Sequence, residues 1–318
     1  MQIILTVIVP IFAVIAAGFL AARVKLLDDS VGEGLAKFVF VIAVPALLFR
    51  TLATAQFAGA NPLFLWLAYF LAVALTWAPA TILVRRLTGA DRRTGIIAGI
   101  SASFANTVFV AIPAVQRAYG DAGLEALFLI IAIHMPVMMT VATLLMERAA
   151  RLDALESGTA APVVSALATV KRIAANLSRN AIIVGILCGL LWRLTGLSLP
   201  GAVEDVVRLL GSTAGPVSLF AMGMSLTRYG LRGDLSSALI VSALSLVLMP
   251  AIVYVVGAPL LPPLWLKVAV LTAACPAGVN CYLFASYFRS GEKLAATSIL
   301  VSTLLSVVSL AVWLAILA

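Results

Sequence analysis

Ser101-Ala-Ser-Phe-Ala-Asn106-Thr-Val-Phe-Val-Ala-Ile-Pro113 places an amide, the hydroxyls of Ser101, Ser103 and Thr107, and a helix breaker inside one apolar run. A second stretch, Ala274-Cys-Pro276-Ala-Gly278-Val-Asn280-Cys-Tyr282, repeats the combination of breaker and asparagine far along the chain. Proline removes a backbone donor and strains the preceding turn. Glycine permits backbone conformations closed to other residues. The two stretches therefore predict helices broken at Pro113 and at Pro276 with Gly278. In lipid such breaks survive only where protein or a water-filled cavity satisfies the freed backbone groups.

The surroundings of both stretches are those of a membrane. Of 318 residues, 63% are hydrophobic and 11% charged, against about 25% charged in a soluble domain. Hydropathy predicts an all-α integral membrane protein with ten spans, at about 3–22, 34–54, 62–84, 94–117, 123–146, 180–196, 203–226, 235–258, 265–288 and 294–317. The runs are too long and continuous for alternating barrel strands. The opening run to Ala22 exceeds a signal h-region and reads as a retained first span.

Sixteen of the 21 basic residues fall on one side of this topology, which assigns that side to the cytoplasm and both termini to the opposite face of the membrane. The formal charge of +8 is spread over span ends rather than one stripe, which argues against a nucleic-acid partner. Cys188, Cys275 and Cys281 lack the spacing of a zinc site or disulfide framework and read as packing residues. The expected organisation is a first repeat over 1–146, a cytoplasmic linker over 147–179 and a second repeat over 180–318. Within the linker, residues 163–179 suit either a helix on the leaflet surface or an ordinary solvated connection. Five spans being an odd number, the two repeats are inverted relative to one another.

Pro45-Ala-Leu-Leu-Phe49 in the second span and Pro216-Val-Ser-Leu-Phe220 in the seventh share Pro-x-x-Leu-Phe, and the Asn106 and Asn280 stretches correspond at nearly the same separation. Broken helices at equivalent places in inverted halves point to a transporter binding site. The N-terminus of a half-helix carries free N–H groups and partial positive charge suited to an anion. Asn106 and Asn280 can hold an oxygen-rich ligand without the desolvation cost of a permanent charge. A lone intramembrane asparagine is also commonly interhelical glue; the symmetric pair favours a site.

These residues resemble the auxin efflux carrier family. The likeness lies in Asn106-Thr107 followed by Ile112-Pro113 and Tyr119-Gly120, in Pro276-Ala-Gly-Val-Asn280, in Ala296-Thr-Ser-Ile-Leu-Val-Ser-Thr303, in Pro45–Phe49, and in Arg179-Asn180. It covers nearly the whole chain. It implies a fold shared with bile acid sodium symporters, in which helices 4 and 9 cross at their broken centres at mid-membrane and bind substrate there. Asn106, Pro113, Pro276 and Asn280 would form that crossover. The resemblance also implies a scaffold of spans 1, 2, 6 and 7 and a moving unit of spans 3–5 and 8–10. Family substrates are organic anions, auxin in plants and dicarboxylates such as malate or malonate in bacteria.

The candidate substrate-binding residues are thus Asn106, Asn280, Thr107, Ser103, Gly278 and Arg50, the last being the charge nearest an inferred substrate route, although snorkelling explains it equally well. All 13 acidic residues fall at span ends or in loops, so no intramembrane carboxylate offers itself for proton coupling. His134, the single histidine, could titrate near physiological pH and so leaves proton coupling open, although it reads first as a packing residue. Backbone carbonyls with Ser101, Ser103 and Thr107 leave sodium coupling open. No cofactor or metal is expected, and a homodimer is compatible with the sequence. An intramembrane enzyme would need a nucleophile and base, metal ligands or paired acids, for which the chain has no set. A sodium-coupled symporter, a channel or a ligand sensor on the same fold remain the alternatives.

Overall fold

The structure, a computed structural model, describes residues 4–55, 61–158, 180–229 and 234–318. Regular structure among these is helical, apart from one isolated antiparallel bridge between Ala105 and Ala277. Seven described segments are long and apolar enough to cross a membrane, and the shorter apolar helices Ala181–Leu194 and Pro263–Ala273 accompany them. The surface-helix expectation for 163–179 lies outside the described residues.

In chain order the helices are α1 (Val9–Arg23), α2 (Asp29–Thr54), α3 (Pro62–Thr88), α4 (Arg92–Ser103), α5 (Ile112–Glu156), α6 (Ala181–Leu194), α7 (Gly201–Ser212), α8 (Ala214–Leu226), α9 (Leu235–Gly257), α10 (Pro263–Ala273), α11 (Asn280–Phe288) and α12 (Glu292–Leu317). Their starts are written in short polar side chains. Asn61, Asp91, Asn180 and Asp234 each accept a hydrogen bond from a first-turn N–H of α3, α4, α6 and α9, satisfying a donor that has no partner within the helix. α5 turns sharply at Gly120, whose φ of 65° a side chain would strain.

Several prolines share one local solution. Wide π-turns at Ile4–Ile8, Val39–Ala43, Thr107–Ala111 and Leu244–Leu248 each run into an α-helix whose second residue is proline: Pro10, Pro45, Pro113 and Pro250. A proline ring clashes with the carbonyl four residues back in a regular helix, and the extra residue in a π-turn relieves that crowding. Pro113 therefore sits within a continuous helical path rather than at the gap. The break in this region falls six residues or more earlier, between Ser103 and Thr107.

The tightest helix packing divides into two groups. α1 packs on α8, and α2 packs on α6, α7 and α8; the other group joins α3 with α4 and α9, α10 with α5 and α9, and α12 with α9 and α11. Small residues bring backbones together in each, as expected where no water drives association. Gly185 and Gly189, one turn apart on α6, face the backbone of Pro45 and Phe49, where a Cβ would lie 2.8 and 2.7 Å from their carbonyl oxygens. In the second group Gly99 lies against the Trp77 ring. The fifth helix also runs beyond its expected end at 146, to Glu156. Arg92 holds Asp153 and Glu156 at 2.8 and 2.6 Å, and Arg93 holds Asp153 at 2.8 Å, tying that extension to the start of α4.

Candidate functional site

Two chain breaks meet inside the protein. The chain leaves α4 after Ser103 and re-enters helix at Thr107; it leaves α10 after Ala273 and re-enters at Asn280. The gaps run antiparallel and exchange hydrogen bonds: the Asn106 N–H donates to the Pro276 carbonyl and the Gly278 N–H to the Phe104 carbonyl, both at 2.8 Å. The Ser302 hydroxyl of α12 accepts a third bond, from the Ala277 N–H at 3.0 Å. Each such bond contributes about 1 kcal/mol net, whereas leaving the groups unpaired in an apolar interior costs several. Each gap is thus viable because the other lies across it.

Gly278 serves the crossing for a reason other than the one expected. Its φ is not positive. A Cβ at this position would lie 3.2 and 3.3 Å from the carbonyl oxygens of Phe104 and Ala105, a contact tight enough that the crossing strands would have to shift apart slightly to admit a side chain. Pro276 lies in its gap as expected, and its carbonyl serves the crossing. Pro113 acts one step removed. Lacking an N–H, it cannot bond the Phe109 carbonyl four residues back, and the Ser218 hydroxyl on α8 lies 3.3 Å from that oxygen while also reaching the Gly215 carbonyl at 2.8 Å.

Asn106 is 3% exposed. Its Oδ1 accepts from the Phe109 N–H at 3.1 Å, capping the half-helix, and its Nδ2 faces the Met222 sulfur at 3.5 Å. Asn280 is half-buried at the start of α11, with Nδ2 3.8 Å from the Met135 sulfur. Thr107 opens the π-turn, buried beside Asn106. The Ser103 hydroxyl donates to the Gly99 carbonyl at 2.7 Å, within its own helix.

A cavity of about 230 Å³ opens beside this crossing, lined among others by Phe40, Phe109, Ser225, Arg228, Val279 and Leu283. It lies between the two packing groups and leads from the crossover to the end of the bundle where α2 begins and α8 ends. Arg228 stands at that mouth, with Nη1 2.9 Å from Glu33 and Nη2 donating to the Asp29 carbonyl at 3.0 Å. None of the six candidate residues lines this cavity: Asn106 and Thr107 lie shortly before its lining residue Phe109, Gly278 and Asn280 flank its lining residue Val279, and Ser103 and Arg50 lie apart. Arg50 is engaged elsewhere. Its Nη1 lies 3.4 Å from Asp121, and its Nε lies 3.9 Å from Glu204, close enough to pair but not to hydrogen-bond.

His134 is buried behind the break. Its ring meets Phe104 edge-on at 4.6 Å and Tyr69 at 5.5 Å, and neither ring nitrogen has a hydrogen-bond partner among the described residues. Sequence reasoning gave no site role to Met222, Met135, Ser218, Ser302 or Arg228. Ser218 and Ser302 lie within the quoted motifs Pro216–Phe220 and Ala296–Thr303, but their partners were not legible, and the two methionines are ordinary residues of apolar helices. Arg228, just beyond α8, entered only the charge count.

Comparison with known proteins places the chain among membrane transport proteins. Residues 3–314 match the family described as membrane transport protein. Over 315 residues the chain is 25% identical to the "Putative malonate transporter" of Rhizobium meliloti (strain 1021), covering 94% of this chain and 91% of that protein.

Proposed function

We propose, since this chain belongs to the auxin efflux carrier family of membrane transport proteins, that it is a secondary carrier of small organic anions, with dicarboxylates such as malonate the first candidates, and that substrate binds where the two broken helices cross. The observation that carries this reading is the reciprocal pairing of the gaps, with Asn106 and Asn280 beside it and a cavity leading away from it. The crossing consumes the N–H groups of Asn106 and Gly278. The NH2 groups of the two carboxamides, which face only thioether sulfurs, are the donors offered to a carboxylate, beside half-helix N-termini whose polarity favours negative charge. The similarity to a protein named for malonate supports a dicarboxylate.

In this reading the chain crosses the bilayer ten times in two inverted sets of five. The Thr107–Glu156 segment turns at Gly120 to make the fourth and fifth crossings, and α10 with α11 forms the ninth. The group holding α1, α2, α6, α7 and α8 is the scaffold, and the other group carries the crossover past it. With the basic residues assigned to the cytoplasm, the cavity at Arg228 is open inward and the Arg50 end is closed.

The test is uptake of radiolabelled malonate, with other mono- and dicarboxylates, into proteoliposomes of the full chain. Counterflow of preloaded substrate separates a carrier from a channel, and imposed sodium or proton gradients assign the coupling. Asn106→Ala and Asn280→Ala are each expected to weaken apparent affinity by about tenfold, the scale of one lost hydrogen bond to a charged group. Undiminished binding in both variants would remove the site from the crossover.

A further inference from the structure

We propose that Met222 is a stand-in ligand: in the empty carrier its thioether sulfur holds the Asn106 carboxamide, and an organic anion binds by displacing it. The proposal rests on the transport reading above and names a residue that sets the affinity of that same site.

The orientation of the Asn106 amide is fixed by its own cap. Oδ1 is committed to the Phe109 N–H, so the NH2 group must point away from the half-helix, and there the Met222 sulfur lies at 3.5 Å. Thioether sulfur is a weak acceptor. A buried donor with no partner costs far more than a poorly satisfied one, so the sulfur makes the empty site tolerable without making it tight. A carboxylate oxygen forms a stronger, charge-assisted bond and wins the exchange.

Met222 is placed for such an exchange. It is fully buried, next in sequence to the cavity-lining Ala221, and its sulfur lies 3.9 Å from the cavity-lining Ser225 hydroxyl. It belongs to α8, in the packing group opposite Asn106, so a displaced sulfur also releases a link between the two groups. The second carboxamide repeats the arrangement more loosely: Asn280 Nδ2 faces the Met135 sulfur at 3.8 Å, on a helix of its own group. Being half-buried, Asn280 can exchange its sulfur for water.

This assignment gives a sign opposite to that of an ordinary lining residue. Met222→Leu keeps volume but removes the acceptor, so malonate should bind about fivefold tighter in proteoliposomes; Met222→Gln supplies a stronger acceptor and should weaken binding by a similar factor. Met135→Leu should shift affinity in the same direction by less than about twofold. Equal or weaker binding in Met222→Leu would overturn the proposal.

A second measurement needs no substrate. In thermal unfolding of the ligand-free full chain, Met222→Leu should lower the Tm in the wild-type background and leave it unmoved in Asn106→Ala; additive effects would show that sulfur and amide are not coupled. Wild-type protein that neither binds nor moves malonate would refute the malonate reading, while this cycle would still decide the Asn106–Met222 contact.

Discussion

At the scale of single residues, the crossover turns on what fits between two backbones. Sequence pointed to Gly278 for its conformational freedom, yet its use is steric: the carbonyl oxygens of Phe104 and Ala105 would crowd a Cβ there. Closeness of segments far apart in the chain leaves no trace in local composition, so the residue was legible and its reason was not. Gly278→Ala is expected to strain the crossing by about 1–3 kcal/mol and to cut malonate uptake by roughly tenfold or more. Gly34→Ala meets nothing within 4 Å and should leave uptake at the wild-type level. Matching uptake in the two variants would show that the crossing tolerates a side chain. His134 yields the reverse expectation. Its nitrogens lack partners among the described residues and its ring packs against Phe104 and Tyr69, so His134→Phe should raise or preserve the Tm and retain transport, because replacing an unsatisfied buried polar group with an apolar one of similar shape is neutral or favourable. A large loss of flux with an intact fold would give the imidazole a role in coupling.

At the scale of elements, breakers announced that helices would be interrupted, and the proline ahead of Asn280 located its gap. The other gap was displaced because Pro113 acts through the π-turn before it rather than as a terminus. Nothing in Thr107-Val-Phe-Val-Ala111 distinguishes a π-turn from a strand or a regular helix; the only sign is the proline that follows. The π-turn decides which way Thr107 to Phe109 face, and through Ser218 it anchors the half-helix to α8. Pro113→Ala restores an N–H able to reach the Phe109 carbonyl and lets this turn tighten to α geometry. The variant should unfold at the wild-type temperature or above it, since a proline costs about 3 kcal/mol in a helix interior, yet take up malonate several-fold more slowly. Pro250→Ala, at an equivalent π-turn bordered by neither gap, is the control, and equal uptake in the two variants would detach the Pro113 turn from function.

At the scale of the whole molecule, charge counting and the odd number of spans on each side of the linker led to the proposed inversion, while a division into two groups came only with the family resemblance, since the residues alone do not say which glycines meet which backbones. Contacts between the groups at the end away from the cavity follow a pattern that the sequence could not reveal. Arg50 on α2 reaches Asp121 just beyond the Gly120 turn at 3.4 Å, and the Arg117 guanidinium donates twice to the Thr6 carbonyl, at 2.9 and 3.2 Å. If the groups slide past one another, these contacts must break whenever that end opens, and they weight the carrier toward the cavity-open state. The Arg50–Asp121 pair is partly exposed, with side chains 24% and 60% accessible, so alone it is worth less than about 1 kcal/mol. The two Arg117 bonds to a carbonyl add about as much again or more. Arg117→Gln combined with Asp121→Asn should therefore shift the population away from the cavity-open state by about fivefold or more. Ala36 lines the cavity, and a cysteine placed there in a background without Cys188, Cys275 and Cys281 reports that state by its rate of maleimide labelling from the Arg228 side. The rate should fall in the double variant; a rate unchanged by both substitutions would mean that the closed end is held by packing alone.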